Sequence, residues 1–388
     1  MTPKDIPQDA ATSHEFDAYR RLDLEVIEAK GCHLVTGTGR RLLDLYGGHA
    51  AALLGHSHPR LVAALTAQAD RLFFQTNLVK LPVRERAARA LADFAPAGLD
   101  RVFFVNSGAE TNENALRLAF RHTRRHTVIA LTGSFHGRTA AAAACTDGSE
   151  AWYGFPAWPF SVRHLPWNNA ALLEDAVTDD VAAVIVEPIQ GIAGARAIPV
   201  EVLQAARRAC DARSALLIAD EVQCGMGRSG RAFAIEEAQV TPDVLTVAKG
   251  LAGGFPAGAV IARHEVAATI RPGDLGSTFG GGPLAAALIA EVIAVVRDED
   301  LVARADRLGR LIRERCLVGP VESIQGRGLL VGLRLDRPAT DVAAQLRARD
   351  ILVGTSSDPR VIRLMPPLVL QDEHVEQLAQ ALQEISSS

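Results

Sequence analysis

The chain contains a series of short, almost uninterrupted apolar runs, each separated from the next by a longer stretch with helical spacing of apolar residues. The runs are RVFFV (101–105), TVIAL (127–131), VAAVIVE (181–187), ALLIAD (215–220) and DVLTVA (243–248). Apolar strands that alternate with helices are typical of a mostly parallel sheet covered on both faces. We therefore predict an α/β fold whose large domain is built on such a sheet.

Both ends of the chain have a different pattern. The first 50 or so residues combine a helical stretch with turn-rich strands, and a long alanine-rich helix after Pro283 precedes further strands and helices. This α+β pattern indicates a smaller domain assembled from both ends, and 388 residues exceed one ordinary domain of roughly 100–200. We predict that residues 1–50 and 283–388 form this small domain and that residues 51–282 form the large one.

Composition argues against several functions. The formal net charge is −4 and the positive residues are scattered, which argues against nucleic acid as a partner. The five cysteines are far apart with no C-x-x-C pair, so neither a disulfide framework nor a zinc site is expected. His56 and His58 in GHSHP fit a turn better than a metal site, which needs further ligands. The polar opening and the lack of an apolar run of about 18 residues predict a soluble, cytoplasmic protein without a membrane segment.

Ligands of such sheets bind at the carboxyl ends of the strands, so the residues after each apolar run are of interest. Ser107, Gly108 and Ala109 follow the first run and precede a helix. Small residues at a helix N-terminus leave N–H groups free, and these groups and the helix dipole suit a phosphate. The same segment also fits an ordinary serine N-cap with Glu110 as the acidic residue of a capping box, so both interpretations stay open.

An aspartate and a lysine end two further apolar strands. Asp220 is costly there unless it meets a cation or donors, so it either caps a turn or holds a ring nitrogen protonated. Lys249 either extends its side chain to water or, when desolvated, has a lowered pKa and forms a Schiff base. A phosphate-binding turn, a strand-end aspartate and a strand-end lysine are together the parts that pyridoxal phosphate requires.

These segments resemble the class III pyridoxal-phosphate aminotransferases, most closely the acetylornithine and ornithine branch. The resemblance extends in order through most of the chain and rests on LLDLYGGHAAALLGHSHPRLVAAL, RVFFVNSGAETNENALRLA, GSFHGRT, VAAVIVEPIQG, ALLIADEVQCGMGRSG, TPDVLTVAKGLAGGFPAGAV, GSTFGGGPLA and VIRLMPPL. It implies an aspartate-aminotransferase-like fold of type I, with a mostly parallel seven-stranded sheet in the large domain. It also implies pyridoxal 5'-phosphate as the cofactor and an obligate homodimer.

The resemblance further implies a role for each matching residue of the cofactor site. Lys249 would carry the Schiff base and shuttle the proton, and Asp220 would pair with the pyridine nitrogen. Glu187 would orient other residues of the site. The implied cofactor contacts are Ser107, Gly108 and Ala109 at the phosphate, Phe135 on the ring face, Gln223 at the ring hydroxyl, Glu221 and Val222 beside it, and Thr278, which would reach the neighbouring subunit's phosphate.

Two arginines and a serine match the substrate-binding segments of the family. By this resemblance Arg363 takes the α-carboxylate of glutamate or 2-oxoglutarate, and Arg138 takes the distal carboxylate and that of the amino donor. Ser277 would also contact the donor. The guanidinium group suits bidentate carboxylate binding, whereas surface ion pairing is the alternative for an arbitrary arginine.

The chain departs from the family after VEPIQ, where it reads GIAG and many members read GEGG or GEAG. Ile192 therefore replaces a glutamate that, in the family, pairs with the arginine matching Arg363 and covers it when an ω-amine binds. We hypothesise that discrimination between α- and ω-amino donors is relaxed or depends on another residue.

The expected activity is transfer of the ω-amino group of N-acetylornithine, or a similar N-protected diamino acid, to 2-oxoglutarate, which gives a semialdehyde and glutamate. Aminotransferases for ornithine, carrier-bound lysine, succinyl-diaminopimelate or 4-aminobutyrate are alternatives within the family. A dinucleotide-dependent oxidoreductase is a less favoured alternative because TGTGRR and GLAGG lack the G-x-G-x-x-G form. A non-catalytic regulator would need a DNA-binding module, and no basic helix-turn-helix pattern precedes residue 50.

Overall fold

The computed structural model describes residues 14–386; residues 1–13, most of the polar opening, and 387–388 lie outside them. The strands are β1 (Val26–Lys30), β2 (His33–Thr36), β3 (Arg41–Asp44), β4 (Leu99–Val105), β5 (Thr127–Leu131), β6 (Ser161–Leu165), β7 (Val181–Val186), β8 (Ile189–Gln190), β9 (Arg196–Ala197), β10 (Leu216–Asp220), β11 (Val244–Val247), β12 (Gly258–Arg263), β13 (Val321–Arg327), β14 (Leu330–Leu335), β15 (Ile351–Leu352), β16 (Gly354–Thr355) and β17 (Val361–Leu364). The helices are α1 (Gly47–Ala50), α2 (Pro59–Arg71), α3 (Pro82–Ala92), α4 (Gly108–Thr123), α5 (Ala140–Ala144), α6 (Ala170–Ala176), α7 (Val200–Arg213), α8 (His264–Ala267), α9 (Pro283–Asp298), α10 (Leu301–Arg315), α11 (Ala339–Ala348) and α12 (Asp372–Ser386).

A seven-stranded sheet forms the centre of the molecule, in the order β4-β12-β11-β10-β7-β5-β6. The pairs β10–β11, β10–β7, β5–β7 and β5–β6 are parallel, and β12 is antiparallel to both of its neighbours. The five apolar runs of the sequence form β4, β5, β7, β10 and β11. The predicted α/β fold with a mostly parallel seven-stranded sheet is confirmed.

The central strands carry apolar residues at nearly every position because both faces of the sheet are covered. Every residue of β5, β7, β10 and β11 is buried. Helix α4 contributes buried residues such as Ala115 and Leu116 to a cluster on the sheet, and α9 belongs to the main core. Burial of each large aliphatic side chain stabilises the fold by about 1.5–3 kcal/mol, so this layered core dominates the stability of the protein.

Segments from both ends of the chain pair in smaller sheets. Strand β15 runs parallel to β3, with Ile351 opposite Leu43, in a sheet of order β1-β2-β3-β15. A second sheet of order β13-β14-β17-β16 contains Arg363 in β17. The pairing of β15 with β3 joins the N-terminal and C-terminal segments, whereas the second sheet is built from C-terminal strands alone. The boundaries near residues 50 and 282 stay a prediction.

The sequence also led to expectations about disulfides, metal sites and membrane segments. The five cysteines are buried and free, without disulfides. Within residues 14–386, no cluster of three or more His, Cys, Asp and Glu side chains is arranged to hold a metal ion. Over the same range, no helix has the length and apolar character needed to cross a membrane.

Candidate active site

A cavity of about 280 Å³ opens at the carboxyl ends of the central strands. Its walls come from the N-terminus of α4, the segment after β5 and the ends of β7, β10 and β11. The lining residues are Gly108, Ala109, Asn112, Phe135, His136, Gly137, Arg138, Glu187, Asp220, Val222, Gln223 and Lys249. Nine residues proposed from the sequence therefore meet in one cavity, together with Asn112, His136 and Gly137.

Lys249 follows β11 and begins a short 3-10 turn. Its φ is +45°, in the left-handed region, where a non-glycine residue costs of order 1–3 kcal/mol and is commonly found at functional sites. Burial lowers the pKa of its amine, while the nearby carboxylates Asp220 and Glu187 act in the opposite direction. A larger fraction of this amine is therefore neutral than in an exposed lysine, which suits a nucleophile or a base.

Asp220 ends β10 and is 3% exposed, and both oxygens of its carboxylate have hydrogen-bond partners. The amide of Asn112 donates to Oδ2 over 2.7 Å, His136 Nδ1 lies 2.7 Å from the same oxygen, and the Val222 N–H donates to Oδ1 over 3.0 Å. Thr246 in turn donates to Asn112 Oδ1. These partners offset the cost of burying the carboxylate and set its direction.

Glu187 follows β7 and is buried beside this network. Its Oε1 accepts a hydrogen bond from the Phe135 N–H over 2.8 Å, and its Oε2 accepts one from the Gly191 N–H over 3.4 Å. Burial raises the pKa of Glu187 to about 7, with His136 lowering it and Asp220 raising it further. The side chain thus joins the segment that carries Phe135 to the segment after β7.

The N-terminus of α4 is a capped helix end that also forms part of the cavity wall. Ser107 is the N-cap: its Oγ accepts a hydrogen bond from the Glu110 N–H over 3.2 Å, and the Glu110 carboxylate accepts from the Asn106 N–H. Gly108 and Ala109 line the cavity, whereas Ser107 is exposed and not among the lining residues. A Cβ on Gly108 would lie 2.7 Å from Val222 Cγ1, so glycine is needed for this close approach.

Gln223 and Glu221 flank Val222 but differ in what they contact. Gln223 Nε2 donates to the His49 carbonyl over 3.3 Å, and its buried Oε1 has no hydrogen-bond partner within residues 14–386. Glu221 is not among the residues that line the cavity; it accepts hydrogen bonds from the Ile235 N–H and the Cys224 thiol. Gln223 therefore offers a free acceptor, and Glu221 secures the loop after β10.

The two arginines assigned to carboxylates have contrasting surroundings. Arg138 is exposed at the cavity, with its Cζ 4.5 Å from the ring centre of Trp152 and 6.0 Å from that of Phe135. Arg363 is 4% exposed and donates to the carbonyls of Thr355 and Gly191 over 2.7 and 3.2 Å. It is not among the lining residues, but its charge contributes to lowering the pKa of Lys249.

Ser277 and Thr278 lie outside the cavity of their own chain. Ser277 Oγ accepts hydrogen bonds from the Asn106 amide over 3.2 Å and from the Gly280 N–H over 3.0 Å. Thr278 is exposed beside it.

Sequence reasoning missed two residues of this site. Asn112 lies on the buried face of α4, four positions before Leu116, and an amide at an apolar-periodic position was an available signal. Trp152 lies in a loop and is placed against Arg138 by tertiary structure. His136, next to Phe135 in the sequence, also belongs to the cavity wall and is hydrogen-bonded to Asp220.

Comparison with known proteins agrees with this geometry. The family model described as Aminotransferase class-III matches residues 17–386. The chain belongs to the class-III aminotransferases. The acetylornithine aminotransferase of Methanopyrus kandleri is 42% identical over 378 residues, which cover 95% of this chain and 97% of that protein. The predicted family is therefore confirmed, and this aminotransferase acts on amino-acid and keto-acid substrates.

Comparison with solved structures points to the same family. The ornithine aminotransferase of Toxoplasma gondii, described with partial occupancy of PLP at its active site, superposes with a TM-score of 0.90 and is 32% identical, over 96% of this chain and 91% of that one. The acetylornithine aminotransferase of Elizabethkingia anophelis has a TM-score of 0.86 at 29% identity, with 96% of each chain covered.

The cofactor of this family is pyridoxal phosphate, and the cavity has groups that fit it. The N-terminus of α4 suits the phosphate, the hydrogen-bonded Asp220 suits a protonated ring nitrogen, and the unpartnered Gln223 Oε1 suits the ring hydroxyl. The amine of Lys249, which lines the same cavity, suits the aldehyde.

Proposed function

We propose that this aminotransferase transfers the ω-amino group of N-acetylornithine, or of a similar N-protected diamino acid, to 2-oxoglutarate, with a semialdehyde and glutamate as products. The resemblance to an acetylornithine aminotransferase along almost the full length of both chains supports this donor. The assignment of 2-oxoglutarate as the second substrate rests on Arg363. Its buried guanidinium forms no ion pair with any described carboxylate, and it is close enough to Lys249 to affect the pKa of that lysine. Such a cation is suited to a substrate carboxylate.

When bound, pyridoxal phosphate supplies an aldehyde that takes up amino groups and a ring that accepts an electron pair. In our proposal Lys249 holds the cofactor through its amine and then moves a proton at its Nζ, which its lowered pKa favours. Asp220 holds the ring nitrogen protonated, and Asn112 and His136 keep the carboxylate in place. Phe135 covers the ring, and its main chain is held by Glu187.

The phosphate contacts are proposed for the N-terminus of α4. The N–H groups of Gly108 and Ala109 lie in the first turn of the helix, where no intrahelical acceptor is available. Ser107, Glu221 and Val222 complete the proposed cofactor contacts, and the position of Glu221 makes its role indirect. For the substrate, Arg138 and Ser277 would contact the donor, with Arg138 also at the distal carboxylate of the keto acid.

The alternative within the family is another ω-amino donor: ornithine, carrier-bound lysine, succinyl-diaminopimelate or 4-aminobutyrate. We retain this alternative because the side chain of Ile192 cannot form an ion pair with Arg363. The main chain of Ile192 is held by Ser357, whose N–H and Oγ both donate to the Ile192 carbonyl. Arg363 therefore stays available to a carboxylate whichever donor binds.

The donor is tested by single-turnover absorbance of the yellow holoenzyme with N-acetylornithine, ornithine, 4-aminobutyrate and glutamate. Fast bleaching by N-acetylornithine and glutamate, with slow bleaching by the other two, is the expected result. Faster bleaching by ornithine or 4-aminobutyrate would replace the proposed donor and keep the reaction type. Loss of bleaching by glutamate in Arg363→Gln, with the amino-donor step retained, would assign the second substrate to Arg363.

We further propose that the protein is a cytoplasmic homodimer in which Thr278 completes the partner's phosphate site. Three aromatic side chains near Thr278 support a self-association surface: Phe73, Phe74 and Phe279 line an apolar cleft of about 310 Å³, and Phe73 and Phe279 are 69% and 64% exposed. Exposed apolar surface of this kind marks contact sites.

A trans-complementation experiment tests this arrangement. Thr278→Ala and Lys249→Ala chains are each expected to have low activity at limiting cofactor. A hybrid dimer in which Thr278 acts across the interface has one intact site, so mixing the two chains restores activity. If mixing restores nothing although hybrids form, Thr278 acts within its own chain or not at all.

A further inference from the structure

A second cleft, of about 330 Å³, is lined mainly by polar residues. Four segments form it: the turn around Ser229, the short helical segment that contains Glu237, helix α10, and the turn between β13 and β14. Its lining residues are Ser229, Gly230, Arg231, Glu237, Asp306, Gly309, Arg310, Arg313, Arg327 and Gly328. It shares no lining residue with the active-site cavity.

Positive charge exceeds negative charge in this cleft, because four arginines face two carboxylates. Glu237 is shared between Arg231 at 3.3 Å and Arg327 at 3.9 Å, and Arg310 is paired with Asp306 at 2.6 Å. The lining carboxylates are thus already engaged by three guanidinium groups.

Arg313 is the fourth arginine and has no carboxylate partner among the described residues. Its guanidinium donates to the carbonyls of Ile324 and Gly326 instead. Burial lowers the pKa of Arg313, and the positive charge of Arg327 lowers it further. An anion placed between these two arginines would relieve their repulsion.

Ser229 provides an independent sign that a ligand fits here. It is 5% exposed and lines the cleft, yet its hydroxyl has no hydrogen-bond partner within residues 14–386. An unpartnered buried hydroxyl costs about 1–3 kcal/mol, which a ligand oxygen would offset. An unpartnered hydroxyl and an unpaired guanidinium therefore meet in one polar cleft.

We propose that this cleft binds a small oxyanion with at least two negative charges, either a phosphate group or a dicarboxylate. Guanidinium groups bind the oxygens of both in bidentate geometry. Arg313 and Arg327 hold the charge, and the Ser229 hydroxyl donates to one oxygen. The site is separate from the proposed transamination and does not depend on its donor.

The bound anion also connects two parts of the chain that already contact each other. Arg228 is fully buried and donates to the carbonyls of Leu329 and Pro366 over 3.1 and 2.8 Å, and the Leu329 N–H donates to the Arg228 carbonyl. A Cβ on Gly328 would lie 2.4 Å from the Ser229 carbonyl carbon. An anion held by Ser229 and Arg327 therefore strengthens this junction, and we expect it to raise the thermal midpoint.

The experiment titrates the holoenzyme with inorganic phosphate and, separately, with malonate, at an ionic strength held constant with sodium chloride. Calorimetry gives the affinity, the thermal midpoint gives the stabilisation, and the visible absorbance of the cofactor shows whether an anion enters the active site. The variants are Arg313→Gln, Arg327→Gln and Ser229→Ala. Arg307→Gln is the matched control, because Arg307 lies on the same helix and pairs with Asp372 outside the cleft.

Phosphate, malonate or both are expected to bind saturably without changing the absorbance of the cofactor. The anion that binds more tightly identifies the chemistry of the ligand. Loss of one charged hydrogen-bond partner weakens binding by about tenfold in Arg313→Gln or Arg327→Gln and by a few-fold in Ser229→Ala. Arg307→Gln keeps the affinity within about twofold, as expected for an exposed pair. Arg327 is exposed, so its variant keeps the test informative if Arg313→Gln is unstable. The proposal is overturned if neither anion binds, or if the cleft variants bind as well as Arg307→Gln.

Discussion

The His136 imidazole and the Asp220 carboxylate are in contact in the buried wall of the active site, with 2.7 Å between Nδ1 and Oδ2. Asn112 donates to the same oxygen, so two side chains from different segments set the direction of one carboxylate. His136 Nε2 has no partner among the described residues. We interpret His136 as a positioning residue that acts through Asp220.

Replacing His136 by glutamine tests this positioning role. We expect kcat to fall about tenfold, because one charge-assisted hydrogen bond is weakened, and we expect the pH profile of the cofactor absorbance to shift. His164→Gln is the matched control, since His164 is half-buried and its Nε2 lies 3.3 Å from the Cys145 carbonyl. A variant that loses thermal stability but keeps the absorbance profile would show that His136 is structural only.

Replacing Lys249 by alanine should abolish turnover, because the cavity is lined by no other lysine among the described residues. We expect kcat to fall by about 10³-fold or more, in the range seen when a nucleophile is removed. Borohydride reduction followed by mass spectrometry should show the cofactor attached to the wild-type chain and absent from the variant. Lys80→Ala, at an exposed lysine, should retain both properties.

Replacing Trp152 by leucine removes the aromatic face beside Arg138. An exposed cation–π contact contributes about 0.5–1 kcal/mol, so we expect the KM for 2-oxoglutarate to rise about two- to fivefold with little change in kcat. Trp158→Leu is the control, because Trp158 stacks on Tyr153, 3.9 Å away. Equal effects of the two changes on KM would contradict a role for Trp152 in holding Arg138.

Replacing Ile192 by glutamate tests the departure from the family pattern. A carboxylate there can pair with Arg363, so we expect slower reaction with α-amino donors relative to ω-amino donors. Ile192→Gln has a similar shape without the charge and should leave the ratio of the two rates near the wild-type value. Unchanged donor selectivity in Ile192→Glu would mean that discrimination depends on another residue.

Glu221→Gln should change how stability depends on pH. Burial raises the pKa of Glu221 from about 4.5 to about 7, so the folded protein binds this proton more tightly than the unfolded chain. The stability from this protonation is complete below about pH 4.5 and is lost as the pH rises through 7. Relative to the variant, the wild type should lose about 3 kcal/mol of unfolding free energy across this window.

Urea denaturation at pH 5 and pH 8 measures this difference. The exposed Glu85 provides the control, and Glu85→Gln should follow the wild-type pH dependence. A Glu221→Gln protein whose stability changes with pH as the wild type does would contradict the assignment.

The central strands could be predicted because their local pattern is extreme. All five apolar runs became strands of one sheet, since burial on both faces requires apolar residues at nearly every position. Strands β6 and β12 were not identified from the sequence. Only two of the five residues of SVRHL are apolar, and GAVIAR follows a glycine-rich loop. The reversed direction of β12 depends on its pairing with β4 and β11, which no local pattern records.

The sequence by itself determined which strand ends carry an aspartate, a lysine and a small-residue turn, because each of these signals lies within a few neighbouring residues. Only the tertiary structure decided which distant groups contact each other. Asn112 reaches Asp220 across 108 positions, and Arg363 reaches the Gly191 carbonyl across 172. The left-handed backbone of Lys249 likewise depends on its surroundings. Local periodicity determines secondary structure, whereas contacts across the sheet depend on strand order and on the packing of both ends of the chain.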